Sequence, residues 1–168
     1  PRRTAATSAA LMVGLGLVAC VSVLAASIKA SAADIVDEYL AADYIVSTPS
    51  FLPAISTDLA PRLARQPELV AVSGLQTGQW RSDGQGRSLY GADPATVAQV
   101  LKFEVTAGDA GALSRGEILV GEEELKEKGL EIGDSLAMTF AQTGDTQLRI
   151  GGTFAKNQLL GSYLVSTV

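Results

Sequence analysis

The 168-residue chain contains no histidine and a single cysteine, Cys20. Without histidine there is no Ser–His–Asp triad, no Cys–His pair, no histidine general base and no histidine-ligated zinc. One cysteine rules out a disulfide within the chain, and leaves the redox compartment open. Charged residues reach only 18% and aromatic residues 5%. Basic residues are scarcest where they would matter for nucleic acid. Once Arg2, Arg3 and Lys29 are set aside from the 13 basic residues, ten remain against 18 acidic ones, a net charge near −8. A domain of that sign lacks the clustered Lys and Arg that displace counterions, so nucleic acid is not an expected partner.

Motifs for familiar chemistry are also missing. There is no GxxxxGK[ST] stretch, so the chain does not itself cradle ATP. Gly14-x-Gly16 lies inside an apolar run with no strand before it, which excludes a dinucleotide fingerprint. Ser73 and the Ser114-Arg115 pair have no base beside them. The triplet Glu122-Glu123-Glu124 could hold a cation, but Lys126 and Lys128 beside it favour a solvated helix face. Trp80 and Arg81 could stack on a ligand; for the only tryptophan a core or interface role is the stronger expectation. No catalytic residue, metal site or cofactor is expected.

What the chain does have is a long apolar run near its start, "PRRTAATSAALMVGLGLVACVSVLAASIKASAAD". Between Arg3 and Lys29 lie 25 uncharged residues, Thr4 to Ile28. As a helix they rise roughly 37 Å, against a hydrocarbon core of about 30 Å. Arg2 and Arg3 precede the run and Asp34, Asp37 and Glu38 follow it, which places the amino end in the cytoplasm and the remainder outside. Two other readings compete. Ala30-Ser31-Ala32 has the small-x-small form of a signal-peptidase site, and Leu17-Val18-Ala19-Cys20 has the form of a lipobox. The run is longer than a signal h-region, and Val21 to Ile28 stay apolar beyond the cysteine, so a retained spanning helix is the preferred reading. Small residues recur at four-residue spacing in Ala10 and Gly14, Gly16 and Cys20, and Ser22 and Ala26, a pattern that lets membrane helices approach closely. Ile28, Ala32, Ile35, Tyr39 and Leu40 keep a helical period, and no Gly or Pro interrupts Leu17 to Thr48. The helix is therefore expected to continue as a stalk to about Ala41. The chain divides into a flank and membrane helix at 1–28, a stalk at 29–41 and a domain at 42–168.

The remainder reads as α+β. Asp43–Thr48 is expected to be a strand ended by Pro49. Ser56 or Thr57 can cap a short helix carrying Leu59 and Leu63. Val70, Val72 and Leu75 open a strand that turns at Asp83-Gly84 and returns through Leu89 and Tyr90. Asp93-Pro94 starts a helix with Val97, Val100 and Leu101 inward. Ile118–Val120 is a short buried strand, Glu122–Lys128 a helix with i,i+4 pairs, and Gly129 its stop. Leu136, Met138 and Phe140 alternate on one strand, Leu148 and Ile150 on the next, and "YLVSTV" is a last strand. Together these predict a mainly antiparallel or mixed sheet with two or three helices on one face.

The order of these pieces resembles the FtsX-like permease family of ABC transporters. The opening "PRRTAATSAALMVGLGLV" is most similar to actinobacterial versions. "EILVGEEELKEKGLEIGDSLAMTFAQTGDTQLRIGGTFA" looks like the family's strand, short helix, "GLxxGDxL" turn and strand pair, with Gly129, Leu130, Gly133 and Asp134 as the motif turn. "LLGSYLVS" is like the segment that closes the outer domain before a second membrane helix. The resemblance implies a MacB-like periplasmic core domain between the first and second of four membrane helices. It also implies a separate cytoplasmic ABC ATPase, a second permease copy or the remaining permease helices, and an extracytoplasmic cargo or partner. Family members act in export, lipoprotein release and control of cell-wall hydrolases. Beginning at Pro1 and ending at Val168, the chain is expected to be the first-helix and outer-domain portion of such a permease, a non-enzymatic part. The alternative is a single-pass or lipid-anchored extracytoplasmic binding domain outside any transporter.

Overall fold

A computed structural model describes residues 2–47, 55–82 and 84–167, with side chains from Leu11 onward except Ala110. Two compact units emerge, Pro1–Glu38 and Tyr39–Val168.

The first unit belongs to one helix, α1, Arg2–Tyr39. It contains no break at Lys29 or at Ala30-Ser31-Ala32. Ala, Leu and unbranched polar residues carry the helix, and Gly14 and Gly16 are tolerated within it. Leu11, Val13, Leu15, Leu17 and Leu24 are all exposed. The stretch Leu11–Tyr39 is long and apolar enough to cross a membrane.

The second unit is a mixed sheet with short helices. Its elements are α2 (Leu59–Leu63), β1 (Gln76–Ser82), β2 (Gln85–Ala92), α3 (Val97–Val100), β3 (Val105–Gly108), a 3-10 turn (Ala110–Arg115), β4 (Ile118–Gly121), α4 (Glu122–Lys128), β5 (Ser135–Phe140), β6 (Gly144–Phe154) and β7 (Tyr163–Ser166). The strands lie in the order β3-β6-β4-β7-β2-β1-β5, and β5 pairs back onto β6. Six strands thus close into a ring, with β3 added on β6. Two of the ring's pairings, β4–β6 and β2–β7, are parallel, and the others antiparallel.

Strand β6 makes the closure possible. Its first half, residues 144–149, pairs with β5. Its second half pairs with β4 and β3. The change of partner coincides with a bulge: Ile118 faces Ile150 but Leu119 faces Gly152, leaving Gly151 as the extra residue. Glycine is required here by space. A Cβ on Gly151 would lie 2.3 Å from Ala112 Cβ, and one on Gly152 would lie 2.8 Å from the Ala107 carbonyl oxygen. The double glycine lets the 3-10 turn and β3 press against the bent strand.

The ring has a filled interior. Trp80 comes from β1, Leu89 from β2, Ile118 and Val120 from β4, Leu136 and Met138 from β5, Ile150 from β6 and Tyr163 from β7, so every ring strand contributes to one buried cluster. Burying each large apolar side chain contributes about 1.5–3 kcal/mol. A second core lies on the other face of the same strands. Ala92, Leu119, Phe154 and Leu164 pack there with Val97, Leu101, Ala112, Leu113 and Leu160. Phe103 meets Phe154 edge-on, with ring centroids 6.5 Å apart.

Several expectations are corrected. Residues 43–47 form no strand, and Tyr44, Ile45 and Val46 are exposed; Thr48 lies outside the described residues. Their β-branched and aromatic character favours a strand only where a neighbouring strand supplies hydrogen bonds, and here no ladder forms. Val70 is fully exposed, and the hairpin strand starts later, at Gln76. Of the turn residues, Asp83 lies outside the described residues, and Gly84 adopts φ +76°. Asp58, not Ser56 or Thr57, precedes α2. The helix after Asp93 is a single turn, because residues 94–96 form a turn held by Asp93: its carboxylate accepts from the Ala95 amide at 2.9 Å and its carbonyl from the Val97 amide.

Candidate functional site

Glu124 forms the largely buried centre of an ionic cluster in the sheet unit. α4 follows β4 directly and lays Leu125 against the ring interior, with Leu130 just beyond the helix. This places Glu124 beside the ring wall, its side chain only 13% exposed. Glu124 Oε1 accepts from Arg87 Nη1 at 2.6 Å and from the Tyr163 hydroxyl at 2.9 Å. Lys128 Nζ stands 4.0 Å from the same oxygen and 5.7 Å from the centre of the Trp80 ring. Trp80 and Tyr163 meet edge to face at 5.0 Å. One carboxylate therefore ties α4 to β2 and β7 and holds the Tyr163 ring, which meets Trp80 edge to face. The glutamate triplet, expected to be a solvated face, is divided. Glu122 pairs with Lys126 and Glu123 with Lys156, while Glu124 turns inward. Helical spacing shows the i,i+4 partners, but not the tertiary partner Arg87, 37 residues away in the chain.

A shallow, open cleft of about 260 Å³ adjoins this cluster, lined by Arg87, Ser88, Tyr90, Glu124, Ser162 and Tyr163 among others. Burial first, then the hydrogen bond to Glu124 and its negative charge, push the Tyr163 hydroxyl above the ordinary tyrosine value. Tyr163 is thus held protonated as a donor to Glu124. The arrangement is suited to holding α4 in place.

The "GLEIGD" turn follows α4. Gly129 caps the helix in the left-handed conformation, with φ 63°. The Leu130 amide donates to the Leu125 carbonyl, and Leu130 packs on the ring interior. Gly133, at φ 102°, donates its amide to the Ile150 carbonyl at 2.8 Å. Asp134 closes the turn twice: its carboxylate accepts from the Glu131 amide at 2.8 Å, and its carbonyl accepts from the Ile150 amide at 2.8 Å. Gly129, Leu130, Gly133 and Asp134 therefore fix the register between α4, β5 and β6. No group of three or more metal-ligating side chains is found among the described residues.

On α1, Gly14 and Gly16 have open space around them and Cys20 is exposed. The side chain of Ala10 lies outside the described ones. Each residue turns about 100° round an α-helix, so the pairs Ala10/Gly14, Gly16/Cys20 and Ser22/Ala26 face directions about 120° apart. One partner helix cannot use all three.

An apolar helix of spanning length precedes a mixed-sheet unit with a core of its own. Residues 4–166 match the MacB-like periplasmic core domain family, and the chain belongs to that family. This is the domain type of FtsX-like permeases, the membrane components of ABC transporters. Among solved structures, the chain is similar to a crystal structure of a domain assigned to a permease protein from Porphyromonas gingivalis, at 19% identity and a TM-score of 0.47. The match covers 64% of this chain and 51% of that one, so the chain spans about half the length of that structure. No curated protein matches the chain.

Proposed function

We propose that the chain is the first membrane helix and extracytoplasmic domain of an ABC transporter permease subunit. It couples ATP-driven movement to export, lipoprotein release or regulation of the cell envelope. The observation that carries this reading is the family match over 4–166 together with a helix that continues unbroken to Tyr39, past both candidate processing sites. The amino end, with Arg2 and Arg3, lies in the cytoplasm. Residues 1–28 are the flank and membrane segment, 29–41 the stalk and 42–168 the outer domain. Lys29 to Tyr39 rise about 16 Å beyond the apolar run, so a tilt of the helix is levered outward. The subunit is non-catalytic, and ATP is hydrolysed by a separate cytoplasmic subunit. The small residues of α1 pack against a second permease copy or the remaining permease helices, and the outer domain meets a cargo or partner protein.

The test is purification of the full-length membrane protein from its native membranes. An ATP-hydrolysing subunit that co-elutes with it supports the proposal. A protein that elutes alone, and whose gene encodes no further membrane helices, contradicts it.

A further inference from the structure

We propose that Asn157 is a positioning residue that ties the start of the sheet unit to its last strand. Asn157 is only 3% exposed, which for a side-chain amide demands partners. It has three. Its Nδ2 donates to the Lys102 carbonyl at 3.1 Å, and its Oδ1 accepts from the amides of Leu159 at 2.9 Å and Leu160 at 3.2 Å. Donor and acceptor face opposite kinds of group, so only one orientation of the amide satisfies all three.

The two ends of this tie have different neighbours. On one side, Lys102 donates its amide to the Tyr39 carbonyl at 2.8 Å, and Ala41 donates to the Val100 carbonyl at 3.0 Å. These two bonds form an antiparallel bridge between Leu40 and Leu101, where the chain leaves α1. On the other side, Leu159 and Leu160 lead within a few residues into β7. Leu160 and Leu101 lie in one buried cluster, with Leu40 packed on it. The path from Tyr39 through Lys102 and Asn157 to Leu160 is therefore short, hydrogen-bonded and backed by packing. Local sequence cannot reveal it, because Asn157 and Lys102 are 55 residues apart.

What would pull on this tie rests on the permease reading, in which the chain enters the domain from one membrane helix and leaves β7 toward another. A displacement at Tyr39 then reaches β7 through Asn157 without first passing round the ring. The tie itself does not depend on that reading.

Amide hydrogen exchange by NMR on the full-length permease, with its ATPase present, tests both. In Asn157→Ala, the amides of Ala41, Lys102, Leu159 and Leu160 are expected to exchange about fivefold to tenfold faster, the loss matching one hydrogen bond, while Val120 and Ile150 in β4 and β6 hold their rates. Asn157→Asp, measured above neutral pH, keeps the acceptor and loses the donor; Ala41 and Lys102 should speed up while Leu159 and Leu160 stay protected. Asp109→Ala removes a comparable side-chain acceptor, which holds the Gly111 amide at 2.9 Å, and should leave Ala41 and Lys102 unchanged. The proposal is overturned if Asn157→Ala accelerates only Leu159 and Leu160, or accelerates β4 and β6 equally. If Asn157→Ala does not fold, the Asp variant decides, and unchanged Ala41 and Lys102 rates there overturn the tie. An absence of any ATP-dependent change at Ala41 and Lys102 in the unaltered protein counts against the permease reading and leaves the tie standing.

Discussion

Leu17 on α1 and Leu119 on β4 are the same residue type under opposite conditions, 64% and 0% exposed. Leu119 is enclosed by strands and helices of its own unit. Leu17 shares a helix with Leu11, Val13, Leu15 and Leu24, all likewise exposed. The stretch Leu11–Ile28 carries no charge and packs on nothing in its own unit, which fits a helix whose partner is lipid or another helix. The sheet unit supplies its own partners, closing six strands round an interior to which each contributes a side chain. Apolar content is thus spent in two ways, and substitutions should separate them.

The largest difference is expected from truncation. Ile150→Ala removes a fully buried side chain from the ring interior and should cost about 2–5 kcal/mol. Trp80, the only tryptophan, sits in the same interior, so its fluorescence follows unfolding in denaturant. Leu17→Ala should leave that midpoint unchanged. Equal shifts for the two would break the comparison.

Adding a methyl group sharpens it. Gly151→Ala drives a Cβ into Ala112 and the Glu117 carboxylate, and overpacking of this kind costs about 1–3 kcal/mol, read as a lower unfolding midpoint. Gly14→Ala meets nothing within 4 Å in the chain itself. A loss of helix association in the membrane for Gly14→Leu, with the midpoint unchanged, would identify the face that carries Ala10 and Gly14 as the one used.

The Glu124 tie gives an effect of similar size and a pH signature. Glu124→Ala leaves Arg87 and the Tyr163 hydroxyl without their shared acceptor, at about 1–3 kcal/mol. The Tyr163 hydroxyl lies above the ordinary tyrosine value because of burial and Glu124. The unfolded chain therefore loses its tyrosine proton first as pH rises past about 10. Stability should be intact below that pH and fall above it. A tyrosinate absorbance titration of the folded protein should show one tyrosine ionising late in the unaltered chain and earlier in Glu124→Ala. Smallest of all, Lys126→Ala breaks an exposed i,i+4 pair with Glu122 and should leave the midpoint unmoved.

What was legible in the sequence follows from the range of the interactions. α1, α4 with its Gly129 stop and the β5–β6 pair rest on contacts within a few residues, while the buried triplet Ile118–Val120 shows as a short apolar run whose partners β6 and β7 are distant; each is found where its pattern lies. The ring closure rests on β1 meeting β5 at only Trp80↔Phe140 and Arg81↔Thr139, far apart in the chain. Its one local sign is the double glycine in "IGGTF", which marks a bulge without saying which strand changes partner. Tyr44-Ile45-Val46 shows the converse: strong β residues with no strand beside them do not make a strand. For the site, Glu124 is visible as a helix residue, but its inward turn depends on Arg87 and Tyr163, which only the fold brings near. Asn157 is locally only a turn residue that accepts from Leu159 and Leu160, and its bond to Lys102 has no local sign.

The central claim, that α1 lies in the membrane with its amino end inside and the sheet unit outside, is tested most directly by labelling in intact cells with a membrane-impermeant maleimide. Cys20 is the only cysteine of this sequence, so Cys20→Ser, together with replacement of any cysteine elsewhere in the full-length protein, gives a clean background. Thr143→Cys, in the exposed β5–β6 turn, should label in intact cells, whereas Thr4→Cys should label only after lysis. Labelling of Thr4→Cys in intact cells, with Thr143→Cys protected until lysis, would contradict the account.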